Sequence, residues 1–139
     1  MPVRGLVIRH AFPWSHGKAA GKDEESKDRP AVIVLVIPPD ADRGTLVGVV
    51  PVTHTRPADP EAGLELPDDV KLQLGLDKSP PCIGFDEINR FVWPGYDLRK
   101  VPRTGADSYG LLPEALFQEV LKGLLARHRA RKTVILDRD

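Results

Sequence analysis

The run Ala31-Val32-Ile33-Val34-Leu35-Val36-Ile37 limits what this chain can fold into more than any other feature. It is unbroken, mostly β-branched, and far short of the length a membrane helix needs, so it predicts a strand buried on both faces or crossing a barrel core. Arg29-Pro30 opens it, and Pro38-Pro39-Asp40-Ala41-Asp42-Arg43-Gly44 closes it with turn chemistry. A second strong strand, Thr45 to Thr53, follows, and the pair reads as a β-hairpin with a long loop. An earlier stretch, Leu6 to Phe12, is strand-like and stops at Pro13. The centre of the fold is therefore β-sheet.

The remaining segments are weaker. Ser15 to Asp28 is charged and aperiodic, which predicts an exposed loop, and residues 57 to 69 form an acidic, proline-containing loop with a short strand around Leu64. Val70, Leu72, Leu74 and Leu76 alternate with Lys71, Gln73 and Gly75, the period of two of a half-buried strand. Cys82 to Phe85 and Ile88 to Trp93 read as further strands interrupted at Asp86-Glu87. One helix is expected, after Pro113, where Leu116, Phe117, Val120, Leu121, Leu124 and Leu125 make an apolar stripe. Its late cations, Arg127 to Lys132, read as a solvated helix end, and Thr133 to Leu136 as a short terminal strand. The whole is a mainly β fold with a C-terminal α-helix.

At 139 residues the chain suits a single domain, 1–139. Its 20 Lys and Arg balance 20 Asp and Glu, which argues against a polycation coating nucleic acid without regard to sequence. That neutrality is a sum over unequal regions: acids concentrate between Asp59 and Asp69, cations between Arg127 and Lys132, so a small cationic site remains compatible with it. The lone Cys82 leaves no disulfide framework or cysteine-rich zinc site, and the four histidines show no metal-ligand spacing, so neither metal nor cofactor is expected. No phosphate loop precedes a helix, and no serine sits in a nucleophile elbow. The N-terminus lacks a signal-peptide pattern, so the expectation is a soluble cytoplasmic protein without membrane contact.

Polar residues at the ends of the strong strands are the candidates for chemistry: Arg29 before Ala31, Thr53 and His54 after Val52, and Asp86 after Phe85. Strand ends leave the core at a rim, where residues distant in sequence can meet. Singly, each is an ordinary strand-end residue.

Taken in order, Arg29-Pro30-Ala31-Val32-Ile33-Val34, then Val50-Pro51-Val52-Thr53, then Phe85-Asp86-Glu87-Ile88-Asn89-Arg90, with a helix closing the chain, resemble the motifs of the MazF/PemK toxins of bacterial type II toxin–antitoxin systems. The resemblance covers roughly residues 5 to 126 and implies an SH3-like small β-barrel of the MazF/PemK/CcdB-like toxin kind. It implies a homodimer, silenced by a cognate antitoxin protein, that cleaves single-stranded RNA without a metal by attack of the 2′-hydroxyl on the adjacent phosphate. Arg29 matches the family's catalytic Arg, Thr53 its catalytic Thr, and Asp86 the Asp used by PemK-type members. His16 lies in the loop before Arg-Pro where some members carry a histidine, and His16, His54 and Arg90 are the expected RNA-binding residues. The chain departs from the pattern at Gly84, where PemK-type members have an Arg, so that Arg90 or Arg99 is the candidate replacement cation. That departure keeps open a catalytically inactive RNA- or protein-binding barrel, and a gyrase-directed toxin is a further alternative. Trp93 and Tyr96 are expected as barrel aromatics rather than as stacking platforms for bases.

Overall fold

A computed structural model describes residues 2–13, 26–53, 59–76, 82–93, 98–101, 105–130 and 132–137. Three long antiparallel strands form its centre: β1 (Leu6–Pro13), β2 (Ser26–Ile37) and β3 (Leu46–Thr53). Beyond β3 the sheet divides. The end of β3 pairs with β5 (Cys82–Gly84), which carries β4 (Gly63–Glu65), while its start pairs with β6 (Glu87–Val92). Two-residue strands β7 (Leu98–Arg99) and β8 (Gly110–Leu111) line the other edge of β1, and β9 (Val134–Asp137) runs parallel to β6. The sheet curls into a half-barrel, and the helix Glu114–Arg129, here α2, packs on one side of it.

The run that dominates the sequence does lie at the centre, with Ala31 through Val34 all buried. Val32 and Val34 face a first core cluster shared with Leu116, Phe117, Val120 and Leu124 of α2. Ala31 and Ile33 face a second cluster with Ile8, Val47, Val49 and Phe91. A strand apolar at every position is thus explained by two cores, one on each face. A bulge between Ile33 and Leu35 ends this double burial, since Leu35 is exposed. The strand also starts earlier than expected, at Ser26 rather than after Asp28.

The alternation from Val70 to Leu76 does not mark a strand: Asp68–Leu74 is a short helix, α1. Val70 and Leu74, one turn apart, are buried, while Leu72 is 82% exposed. Pro67 precedes the helix, Asp68 and Asp69 complement its positive end, and Gly75 ends it with φ of 69°. The Leu76 N–H then reaches the Lys71 carbonyl at 2.9 Å, a helix-stop bond no strand needs. These end signals outweighed the local alternation.

Gly123 lies where α2 crosses Phe85. A Cβ on it would stand 2.5 Å from Phe85 Cε2 and 2.9 Å from Cζ, and Phe85 is only 3% exposed. Exchanging Gly for Ala within a helix gains about 1 kcal/mol of propensity, but overpacking a core costs about 1–3 kcal/mol. Gly123→Ala is therefore expected to be destabilising on balance, with a urea midpoint below the parent's; an unchanged or higher midpoint would show that the helix lifts off Phe85 freely.

Candidate functional site

Arg29 lies two residues before Ala31 on β2 and so shares its face, that of the second cluster. His10 stands directly opposite on β1. The β2–β3 ladder ends where Ala31 pairs with Pro51, and Arg29 and Thr53 lie two residues beyond that pair on their respective strands. Two of the sequence-predicted residues thus stand on neighbouring strands. The Thr53 hydroxyl reaches the Cys82 carbonyl at 3.5 Å, the outer limit for such a bond.

Arg29 is half-buried, and its Nε is buried without a hydrogen-bond partner. A buried guanidinium donor left unmet is uncommon, because each such group forfeits its bond to water. Burial lowers the pKa of Arg29, and the negative charge of Glu87 acts in the opposite direction. The side chain remains a cation in either case.

Among the described residues, the carboxylate whose charge acts on Arg29 is Glu87 rather than Asp86. On β6, Glu87, Asn89 and Phe91 alternate onto one face, that of the second cluster. Asn89 is wholly buried, and its Nδ2 donates to Glu87 Oε2 at 2.8 Å. His10, also wholly buried, stacks on Phe91 with ring centroids 4.8 Å apart and planes 14° from parallel. His10, Arg29, Glu87 and Asn89 therefore occupy one face of the curled sheet.

Asp86 is turned to the opposite side, toward α2. Its Oδ1 accepts from Arg127 Nε at 2.8 Å, and the same guanidinium donates through Nη1 to Asp59 Oδ2 at 2.7 Å. Arg127 is consequently no solvated helix-end cation; its side chain is only 10% exposed and ties α2 to two loops. The Glu61 backbone N–H and the Arg127 guanidinium hold the Asp59 carboxyl below its usual range.

Arg90 also lies away from Arg29. It alternates with Glu87 and Asn89 onto the other face of β6, and it binds Asp137 of β9 through two bonds, Nε to Oδ1 at 2.6 Å and Nη2 to Oδ2 at 3.0 Å. Among the described residues, a Cβ on Gly84 would meet Pro51 alone, at 3.7 Å from Cγ and 3.9 Å from the carbonyl oxygen. His16, His54 and Tyr96 lie outside the described residues, as does the side chain of Arg99. Trp93 packs against the second cluster, its ring 6.3 Å from that of Phe91. Among the described residues no three His, Cys, Asp or Glu side chains gather as a metal site would require, and no helix is long and apolar enough to cross a membrane.

Reading the sequence missed Glu87, Asn89 and His10. The available signal was the alternation Glu87, Asn89, Phe91 with Ile88, Arg90, Val92, but it does not tell which set faces the core. Comparison with protein-family models, curated proteins and solved structures found no match to this chain.

Proposed function

We propose that this chain is a toxin-type endoribonuclease of the MazF/PemK kind, built on an SH3-like barrel and cleaving single-stranded RNA, with Arg29 and Thr53 at the reacting phosphate. The observation that carries the reading is the placement of Arg29 and Thr53 on neighbouring strands, each two positions beyond the paired Ala31 and Pro51, together with the unmet Nε donor of a half-buried guanidinium. A phosphate oxygen is the acceptor such a donor suits, since charge-assisted bonds from Arg to phosphate are about twice as strong as neutral ones. As the 2′-oxygen bonds to phosphorus and the bond to the 5′-oxygen breaks, charge builds on the non-bridging oxygens. A fixed cation there stabilises that charge more than it stabilises the ground state. The Thr53 hydroxyl, which donates to the Cys82 carbonyl at 3.5 Å, would turn from it to supply a neutral donor on the same side. In this reading the protein acts as a homodimer in the cytoplasm and is silenced by an antitoxin protein.

Purified protein incubated with a long RNA in EDTA is expected to leave fragments with 5′-hydroxyl and 2′,3′-cyclic phosphate ends. Cleavage that appears only after a divalent metal is added would overturn the mechanism.

The engagement of Asp86 by Arg127 favours a second reading, an RNA-binding barrel of the same kind without cleavage. Its signature is RNA that is retained intact, with an affinity that falls steeply as salt rises.

A further inference from the structure

We propose that Glu87 is the carboxylate that works with Arg29 in this site, and that Asn89 is its positioning residue. The inference rests on the ribonuclease reading above and adds to it a residue that the motif pattern does not supply, since the pattern points to Asp86.

Three observations converge. Strand alternation puts Glu87 and Asn89 on the face of Arg29 and His10, while Asp86 is bound by Arg127 on the helix side. Glu87 is half-buried, as Arg29 is, so both reach solvent at the rim while standing close enough for the charge of one to act on the other. Asn89 is the least expected residue on its strand face. Its register partner is Val49 and its next neighbour on the face is Phe91, both buried and apolar. An amide in such a place needs a polar reason, because unpaired polar groups are costly to bury. Its Nδ2 has one, the 2.8 Å bond to Glu87 Oε2, whereas its Oδ1 has no hydrogen-bond partner. A side chain that leaves its own carbonyl unmet in order to hold a carboxylate is spending stability on orientation.

The chemistry assigned to Glu87 is proton transfer. Its carboxylate takes the proton of the RNA 2′-hydroxyl as that oxygen bonds to phosphorus. The bond from phosphorus to the 5′-oxygen breaks with its electron pair on that oxygen, which is protonated by water, and Glu87 returns its own proton to solvent. Arg29 balances the charge that accumulates on the phosphoryl oxygens.

The test uses the full chain, a defined RNA oligonucleotide and pH–rate profiles. Glu87→Gln is expected to lower kcat by about 10²-fold, the usual scale of a lost general base, with KM nearly unchanged. It should also abolish the fall in rate on the acid side, whereas Asp86→Asn should retain that fall. Asn89→Leu removes the bond that orients the Glu87 carboxylate, so kcat should fall with KM nearly unchanged. Because position 89 is buried, circular dichroism and a thermal melt accompany each variant. Should Glu87→Gln not fold, Glu87→Asp takes its place; the carboxylate, withdrawn by one methylene, should keep the acid limb while kcat falls. A parent that cuts RNA and a Glu87→Gln variant with the same kcat and acid limb overturn this inference and leave the ribonuclease reading standing, as does a Glu87→Asp substitute at the parent's kcat. A parent that never cuts RNA overturns both.

Discussion

Arg29→Ala is expected to slow RNA cleavage by about 10²–10³-fold, equivalent to about 3–4 kcal/mol of transition-state stabilisation, the scale of one lost oxyanion-type donor. The loss should fall mainly on kcat, because the guanidinium meets its strongest demand when charge builds on the phosphate rather than when RNA first binds. Folding should change little. The Arg29 Nε makes no hydrogen bond to lose, and the side chain sits at the rim rather than in either core. Its removal leaves Glu87 without the cation on which its charge acts, but Glu87 keeps the Asn89 bond and some exposure to water. Arg29→Lys separates charge from geometry: it keeps the cation and loses the planar fork, so a rate between those of parent and Ala variant is expected. Single-turnover cleavage and urea unfolding of the same preparations decide the matter. An Arg29→Ala protein that cuts at the parental rate would remove Arg29 from the site.

The parts of the fold that could be read from the sequence are those where one signal stood unopposed. Ala31 to Ile37 had only a buried strand to be, and Val32 and Ile33 fill both cores as that demands. The stripe from Leu116 to Leu125 had caps and charges that agreed with it, and α2 follows, although Leu125 at its margin is exposed. Residues 68 to 76 carried two signals. Alternation of Val70, Leu72, Leu74 and Leu76 favours a strand, while Pro67, the paired Asp68 and Asp69, and Gly75 favour a helix. Alternating positions include an i, i+4 pair, so Val70 and Leu74 satisfy either reading, and only the exposure of Leu72 separates them.

The candidate site follows the same division. Arg29 and Thr53 bracket a hairpin whose strands both announce themselves, so their placement two positions beyond the paired Ala31 and Pro51 follows once the hairpin register is set. Asp86 and Glu87 are neighbours in the chain, and which of them faces Arg29 depends on a single step of strand phase. Nothing local sets that phase. It is fixed by Phe91 entering the second core and by Arg127, 41 positions away, taking Asp86.

Phe91→Ala should be the most damaging substitution outside the site, at about 3–5 kcal/mol against a total stability of about 5–15 kcal/mol for a domain of this kind. Phe91 is 2% exposed, lies opposite Val47 on β3, and stacks with the rings of His10 and Trp93. Among the described residues the second cluster has six buried members, all on strands, whereas the first has 15 and includes both helices. Helices can shift to close a void, but strands held in register cannot follow without breaking ladder bonds, so the cavity stays open and the cost lies toward the upper end of its range. Phe91→Leu, which keeps most of the volume, should lose less than about 1.5 kcal/mol. The two variants also test whether this core supports the site. His10 rests on the Phe91 ring and stands opposite Arg29, so Phe91→Ala should slow cleavage even at temperatures where the protein remains folded. Urea midpoints paired with rates at low temperature measure both effects. If Phe91→Ala cost no more than Phe91→Leu, the second cluster would not be a packed core.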